Sequence, residues 1–155
     1  MHQVITSAEL LEHWQGHRRL TRRVIETFPE QEFFNHSIGE MRTFAEMTME
    51  LISIAAPGLR EIVSGKTSES KENFHHANSK GNVLRFWDEA TVEINRLWPQ
   101  INIERFHQKI KLFGQYEGTV LSSILYFMDN EIHHRAQGYV YLRSLGIAPP
   151  FFWER

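Results

Sequence analysis

Apolar residues recur at three- and four-residue spacing in four segments of the chain, which is the pattern of amphipathic helices. The first segment opens with Thr6 and Glu9, whose spacing matches a capping box, and it ends at about Phe28 because Pro29 cannot continue the helix. The residues predicted to form its buried stripe are Leu10, Leu11, Trp14, Leu20, Val24 and Ile25. This segment therefore predicts a long helix near the start of the chain.

The second and third segments carry similar signals. Residues 43–63 open with another capping box and predict a helix that is kinked or broken at Pro57. Residues 64–71 are polar and have few apolar anchors, so they predict a mobile loop. Residues 83–98 then predict a third helix, which a proline ends.

The fourth segment, residues 118–145, predicts the longest helix, and Gly146 supplies its C-terminal cap. Before it, residues 101–116 are interpreted as a short helical turn and a connector. Four amphipathic helices bury their apolar stripes most simply by packing against one another. The sequence therefore predicts an all-α protein, a four-helix bundle that forms one domain over residues 1–155.

Composition and charge narrow the classes of partner. The chain has 155 residues, 41% of them hydrophobic, which is enough for one sizeable core. A formal net charge of -2 gives no positive field for a phosphate backbone, so nucleic acid is excluded as an expected partner. Without a signal sequence or an apolar run of about 20 residues, no membrane association is expected. With no cysteine either, we predict a soluble, cytoplasmic protein.

Candidate chemistry lies on the fourth predicted helix, where polar residues interrupt an apolar pattern. Asn130 and His134 are four residues apart, a spacing that stacks two side chains on one helix face. Tyr126, Gln137 and Tyr141 extend the same face. A stripe this polar indicates a polar partner or a ligand.

The run Asn130–Gly138 (NEIHHRAQG), followed by Tyr141-Leu142-Arg143 and Gly146, resembles the C-terminal signature of the DinB family, and the ending Pro149–Trp153 fits it as well. The family is a four-helix bundle of up-down-down-up topology, often dimeric, and the resemblance covers nearly the whole chain. Its final helix typically reads His-Glu-x-His-His-Arg-Gly-Gln. The first and last of these histidines bind a divalent metal with a third histidine from the second helix.

Carried over residue by residue, the resemblance implies an altered metal site. His134 keeps a family histidine, whereas Asn130 stands in the place of the first one. Counting from the Arg42-Thr43 pair, which resembles the family's helix start, places Glu50 at the third ligand position; a register counted from Ser37 reaches Phe44 instead. The preferred set of Glu50, Asn130 and His134 would hold Zn, Ni, Mn or Fe.

Two functions follow from the resemblance. Relatives such as mycothiol-dependent maleylpyruvate isomerase and the bacillithiol S-transferases imply a transferase or isomerase that depends on a metal and a low-molecular-weight thiol. His133, Glu131 and Tyr126 are then candidates for proton transfer, although helix geometry points His133 and Glu131 away from the ligand face. The alternative is a non-catalytic bundle without metal or thiol, which acts as a binding or stress-associated protein. Both readings include a homodimer and a small-molecule ligand in the bundle cleft.

The remaining groups also fit ordinary structural roles. The Glu-Asn-His set could be a hydrogen-bonded network, and the adjacent His75 and His76 are interpreted as solvated. The basic cluster on the first helix is interpreted as a solvated face; it consists of His17, Arg18, Arg19, Arg22 and Arg23. The aromatic ending, residues 151–153, is predicted to plug the end of the bundle or to form a dimer contact.

Overall fold

A computed structural model describes residues 3–67 and 74–155. Its α-helices are α1 (Ser7–Thr27), α2 (Glu30–Asn35), α3 (Phe44–Ser64), α4 (Lys80–Leu97) and α5 (Val120–Ser144). Between α4 and α5 lie two 3₁₀ helices, Trp98–Gln100 and Ile103–His107, and the strands β1 (Lys109–Leu112) and β2 (Tyr116–Thr119). In the part of the chain thus described, no helix is long and apolar enough to cross a membrane. Residues 68–71 of the predicted loop lie outside the described residues.

Side-chain contacts establish the direction of the four long helices. The contacts are Trp14 with Phe127 near the starts of α1 and α5, Phe28 with Phe44 at the end of α1 and the start of α3, and Gln15 with Asn95 and Arg22 with Asp88 along α1 and α4. Helices α1 and α5 therefore run in one direction, and α3 and α4 run in the other. This is a four-helix bundle, as the apolar pattern predicts, with the up-down-down-up order that the family resemblance implies.

Local signals in the sequence set the helix ends correctly. Both predicted capping boxes are present: Thr6 and Glu9 cap α1, and Thr43 and Glu46 cap α3, each through reciprocal hydrogen bonds between side chain and backbone. Gly146 follows α5 with a φ of 75°, a left-handed conformation that glycine adopts without a steric penalty.

The predicted break at Pro57 is wrong, because α3 continues through it to Ser64. A proline inside a helix costs about 3 kcal/mol through a lost hydrogen bond and a steric clash. Burial on both sides of Pro57 offsets this cost, since Ala55, Ala56, Leu59 and Ile62 all belong to the core. The interpretation of Pro29 as the end of the first helix holds, but the short helix α2 that follows it was not predicted.

The connector predicted for residues 101–116 is only partly correct. A 3₁₀ helix is present, but β1 and β2 then form an antiparallel hairpin in which Lys109 pairs with Thr119. The hairpin turns at Phe113 and Gly114, whose φ angles of 53° and 68° match the mirror-image turns that favour hairpins. Phenylalanine is uncommon in such a turn, so this position carried no hairpin signal.

The core consists of two apolar clusters, one toward each end of the bundle. Between them lies a layer of buried polar side chains, which we name the buried ionic layer: His17, Arg18 and Thr21 of α1, and Glu131 and Arg135 of α5. The predicted solvated face is therefore wrong for His17 and Arg18, which are 3% and 1% exposed.

Arg18 lies at the centre of the buried ionic layer. Its guanidinium lies 4.1 Å from the centre of the Trp87 ring and donates hydrogen bonds to the Trp87 carbonyl at 3.0 Å and the Thr91 hydroxyl at 3.1 Å. The carboxylate of Glu131 lies 3.9 Å from Arg18. Periodicity missed this burial because a long arginine can enter a core once partners from other helices satisfy its donors.

Gly138 allows α5 to approach α3 closely. A β-carbon at this position would lie 2.6 Å from a ring carbon of Phe44, which is fully buried. The substitution Gly138→Ala is therefore expected to lower the free energy of unfolding by about 1–3 kcal/mol through overpacking, measured by urea denaturation. Gly81→Ala is the matched control, because its β-carbon would meet nothing closer than 3.6 Å. Equal unfolding midpoints for the two variants would contradict this close packing.

Candidate functional site

Helices α3 and α5 run antiparallel and face each other along most of their length. Phe44 of α3 lies against Gly138 of α5 at one end, and Gly58 lies against Phe127 at the other. Glu50 is midway between these two contacts. The packing therefore brings Glu50 opposite the polar face that was predicted on α5.

The three predicted site residues lie together. Oε1 of Glu50 is 3.3 Å from Nδ2 of Asn130 and 3.2 Å from Nε2 of His134. The other ring nitrogen of His134 lies 2.9 Å from the side-chain oxygen of Gln137, one helical turn further on. Asn130 and His134 are 9% and 7% exposed, so this is a nearly buried polar cluster at the edge of the core.

Arg42 completes the cluster. Its Nη1 lies 2.5 Å from Oε2 of Glu50, and its Nη2 lies 3.4 Å from Nε2 of His134. The buried Tyr141 hydroxyl donates a 2.7 Å hydrogen bond to the Arg42 carbonyl, which holds the backbone in place. In the sequence, Arg42 marks only the register that leads to Glu50. Arg42 precedes the N-cap of α3, so helical periodicity does not place it beside Glu50.

The electrostatics favour an ionised Glu50. Burial alone would raise the pKa of this carboxyl, but hydrogen bonds from Arg42, Asn130 and His134, together with the Arg42 charge, outweigh it and lower the pKa below its ordinary value. Glu50 is therefore a carboxylate whose two oxygens both have partners, and its counterion is a guanidinium of the same chain.

This donor set fits a guanidinium better than a divalent metal ion. Glu50 and His134 are its only carboxylate and imidazole, and among residues 3–67 and 74–155 no three His, Asp or Glu side chains are grouped to hold a metal. Arg42 already binds Glu50 at ion-pair distance, so a metal ion at that carboxylate would have to displace a fixed positive charge.

The other residues singled out in the sequence lie away from this cluster. Glu131 faces the buried ionic layer, and His133 is exposed, as their helical positions predict. Tyr126 is 54% exposed and lines a neighbouring cavity. Phe151, Phe152 and Trp153 stay about 60% exposed, so they do not plug the bundle; the dimer contact remains a prediction.

A cavity of about 790 Å³ lies along the same two helices, and none of Arg42, Glu50, Asn130 and His134 is among its described lining residues. Ser53, Ile54 and Pro57 of α3 line it one to two turns beyond Glu50, and Tyr126 and Phe127 of α5 line it one turn before Asn130. The hairpin closes its far side through residues 112–117. Sequence reasoning missed this cavity because it did not predict the hairpin.

Comparisons with known proteins agree with this architecture. The sequence model of the DinB family matches residues 1–154. The chain is 22% identical over 152 residues to the uncharacterized protein YjoA of Bacillus subtilis strain 168, covering 96% of this chain and 97% of that one. The crystal structure of YjoA, a DinB-like protein, superposes with a TM-score of 0.72 at 18% identity and covers 94% of this chain and 99% of its own. A DinB-like protein from Bacillus cereus ATCC 10987 gives a TM-score of 0.76 at 12% identity, with 94% and 97% covered.

Proposed function

The chain belongs to the DinB family, and we propose that it binds a small organic molecule in the cleft between α3 and α5 without a resident metal ion. The observation that carries this proposal is the Arg42–Glu50 ion pair beside the 790 Å³ cavity. The proposal assigns Arg42 the role of the cation at this position.

The ion pair supports a metal-free site because it uses the lone pairs that a metal would need. A guanidinium and a carboxylate form charge-assisted hydrogen bonds, which are about twice as strong as neutral ones. At Glu50, Arg42 binds one oxygen while Asn130 and His134 contact the other. A divalent ion could coordinate Glu50 only after these contacts break. The free energy lost with the contacts would weaken the binding of the metal.

The cavity supports ligand binding because its largely apolar wall also carries a few polar side chains, among them Ser53, Gln115 and Ser123. Small-molecule sites typically have this composition and a volume of about 300–1,000 Å³. The Arg42 side chain is 47% exposed and retains donors for a ligand, whereas Asn130 and His134 already contact Glu50. In this proposal the cluster orients the ligand, and the cavity supplies most of the buried area.

The second candidate function is a transferase or isomerase that depends on a divalent metal and a low-molecular-weight thiol. The observation that favours it is the approach of Asn130 and His134 to the same Glu50 oxygen, within 3.3 Å. It requires the half-exposed Arg42 side chain to swing into solvent. The two candidates therefore differ in one measurable respect, the metal affinity of the unmodified protein.

Metal content separates the two candidates. For untagged protein we expect no stoichiometric Zn, Ni, Mn or Fe by elemental analysis, and only weak binding of Zn²⁺ in calorimetric titration. Arg42→Met keeps the length of the side chain but removes its charge, so we expect it to bind Zn²⁺ at least about tenfold more tightly. The increase should vanish in Arg42→Met, Glu50→Gln. Stoichiometric metal in the unmodified protein that is lost in Glu50→Ala, His134→Ala would instead support the metal- and thiol-dependent function.

A further inference from the structure

Aromatic rings form much of the wall of the cavity between α3, α5 and the hairpin. They belong to Phe74, Phe113, Tyr116, Tyr126 and Phe127. Phe127 is buried, whereas Tyr116 and Tyr126 are 63% and 54% exposed and present their rings at the mouth. A ligand in this cavity therefore meets ring faces from both a helix and the hairpin.

The cavity wall carries charge of one sign. Glu117 of β2 is the single charged side chain among its described lining residues, and none of those residues is a lysine, arginine or histidine. Lys111 is the cross-strand partner of Glu117 in the hairpin but does not line the cavity, so a ligand in the cavity meets the carboxylate and not the base. The positive charge of Arg42, at the other end of the cleft, is already paired with Glu50.

Two of the rings, those of Phe113 and Phe127, pack closely against α3 at Gly58. Phe113 has a φ of 53°, an uncommon conformation for a bulky residue, and its backbone N–H donates a 2.8 Å hydrogen bond to the carboxylate of the buried Glu61. A β-carbon on Gly58 would lie 2.5 Å from the Phe127 ring and 3.3 Å from the Phe113 ring. Backbone strain of this kind often accompanies binding sites, because the surrounding structure fixes a side chain in a required position.

From this combination we propose that the cleft takes an organic cation with an apolar body, such as a protonated or quaternary amine; this inference rests on the small-molecule function proposed above. The face of an aromatic ring is negative and attracts a cation within about 6 Å of its centre. Glu117 adds a full negative charge at the same cavity. A neutral ligand of the same shape would bury the same apolar area, but neither the aromatic rings nor Glu117 would attract it electrostatically.

Three probes of similar size and different charge test the proposal: protonated 2-phenylethylamine, neutral 2-phenylethanol and anionic 3-phenylpropanoate. Each is titrated into the full-length protein at pH 7 and followed by amide chemical shifts in NMR. We expect the amine to bind about tenfold more tightly than the alcohol, and the carboxylate to bind most weakly. The shifted amides should belong to the hairpin and to the facing turns of α3 and α5.

Variants separate the contributions of the carboxylate and the rings. Glu117→Gln should weaken the amine by about tenfold and leave the alcohol unchanged, while Glu104→Gln, an exposed carboxylate outside the cavity, should change neither. Tyr126→Leu keeps an apolar wall and should weaken the amine more than the alcohol.

The outcomes distinguish this inference from the function on which it rests. Equal affinities for all three probes, unaffected by Glu117→Gln and Tyr126→Leu, would overturn the cationic ligand class and leave the small-molecule cleft standing. Failure of every probe to shift any cavity amide at millimolar concentration would overturn both.

Discussion

Replacing Glu131 with alanine is expected to lower the free energy of unfolding by about 3–5 kcal/mol, the range for removing one partner of a buried ion pair. Glu131 is 2% exposed and accepts a 2.8 Å hydrogen bond from Thr21. Its carboxylate is the counterion of Arg18 at 3.9 Å and of Arg135 at 3.8 Å. The variant would leave two guanidinium groups in the core without a negative charge.

Burial already strains this network. It raises the pKa of Glu131 despite the opposing charges of Arg18 and Arg135, and it lowers the pKa of Arg18 to about 10. Nη1 of Arg18 also has no hydrogen-bond partner. Glu131 is the one carboxylate of the buried ionic layer. When it is removed, no neighbouring side chain of the layer can supply a negative charge to the two arginines.

Urea denaturation monitored by circular dichroism measures the loss, and Glu40→Ala, an exposed carboxylate in a turn, is the control. A triple variant, Arg18→Met and Arg135→Met with Glu131→Leu, should recover much of the stability, because apolar residues can replace a buried group of paired charges at little cost. If Glu131→Ala unfolds at the same urea concentration as Glu40→Ala, the buried carboxylate does not stabilise the fold and the prediction is wrong.

Acidification is expected to destabilise the protein through His17 by up to about 3 kcal/mol between pH 6.5 and pH 4. Burial, reinforced by the charges of Arg135 and Arg155 and by His13, lowers the pKa of His17 to about 4. Its Nδ1 lies 3.0 Å from Nη2 of Arg135, and the neutral ring accepts that hydrogen bond. The protonated ring cannot accept it and adds a positive charge beside two arginines.

The sign follows from the direction of the shift. A histidine whose pKa is lower in the folded state stabilises the fold fully above its unfolded pKa, near 6.5, and this stability is lost as the pH falls toward the folded pKa, near 4. The pKa of Glu131 is raised and that of Glu50 is lowered, so both carboxylates also titrate in acid, with opposite signs. The difference between the unmodified protein and a His17 variant isolates the histidine.

The measurement is the free energy of unfolding in urea from pH 7.5 to pH 4. In His17→Gln the side-chain oxygen can still accept a hydrogen bond from Arg135, and the glutamine does not titrate. Over this pH range the free energy of unfolding of the variant should therefore fall by about 3 kcal/mol less than that of the unmodified protein. His107→Gln, at an exposed position, should follow the unmodified protein. If the stability of His17→Gln and that of the unmodified protein change in parallel with pH, folding does not lower the pKa of His17.

The site was only partly predictable from the sequence. Asn130 and His134 are four residues apart, and helix geometry alone places them on one face. Glu50 was placed opposite them through a resemblance to known proteins, and the structure brings it within 3.3 Å of both. Arg42 was not predicted as a partner, because its backbone position depends on a hydrogen bond from Tyr141, which is distant in sequence.

The sequence by itself determined the four long helices of this protein, since capping residues, glycine and the spacing of apolar positions act within a few residues of one another. It also determined which face of α5 is polar. Only the tertiary structure decided that Pro57 does not break α3, that residues 109–119 form a hairpin, and that Arg18 is buried. Each of these depends on contacts between distant residues, whose packing and hydrogen bonds outweigh local preference by a few kcal/mol.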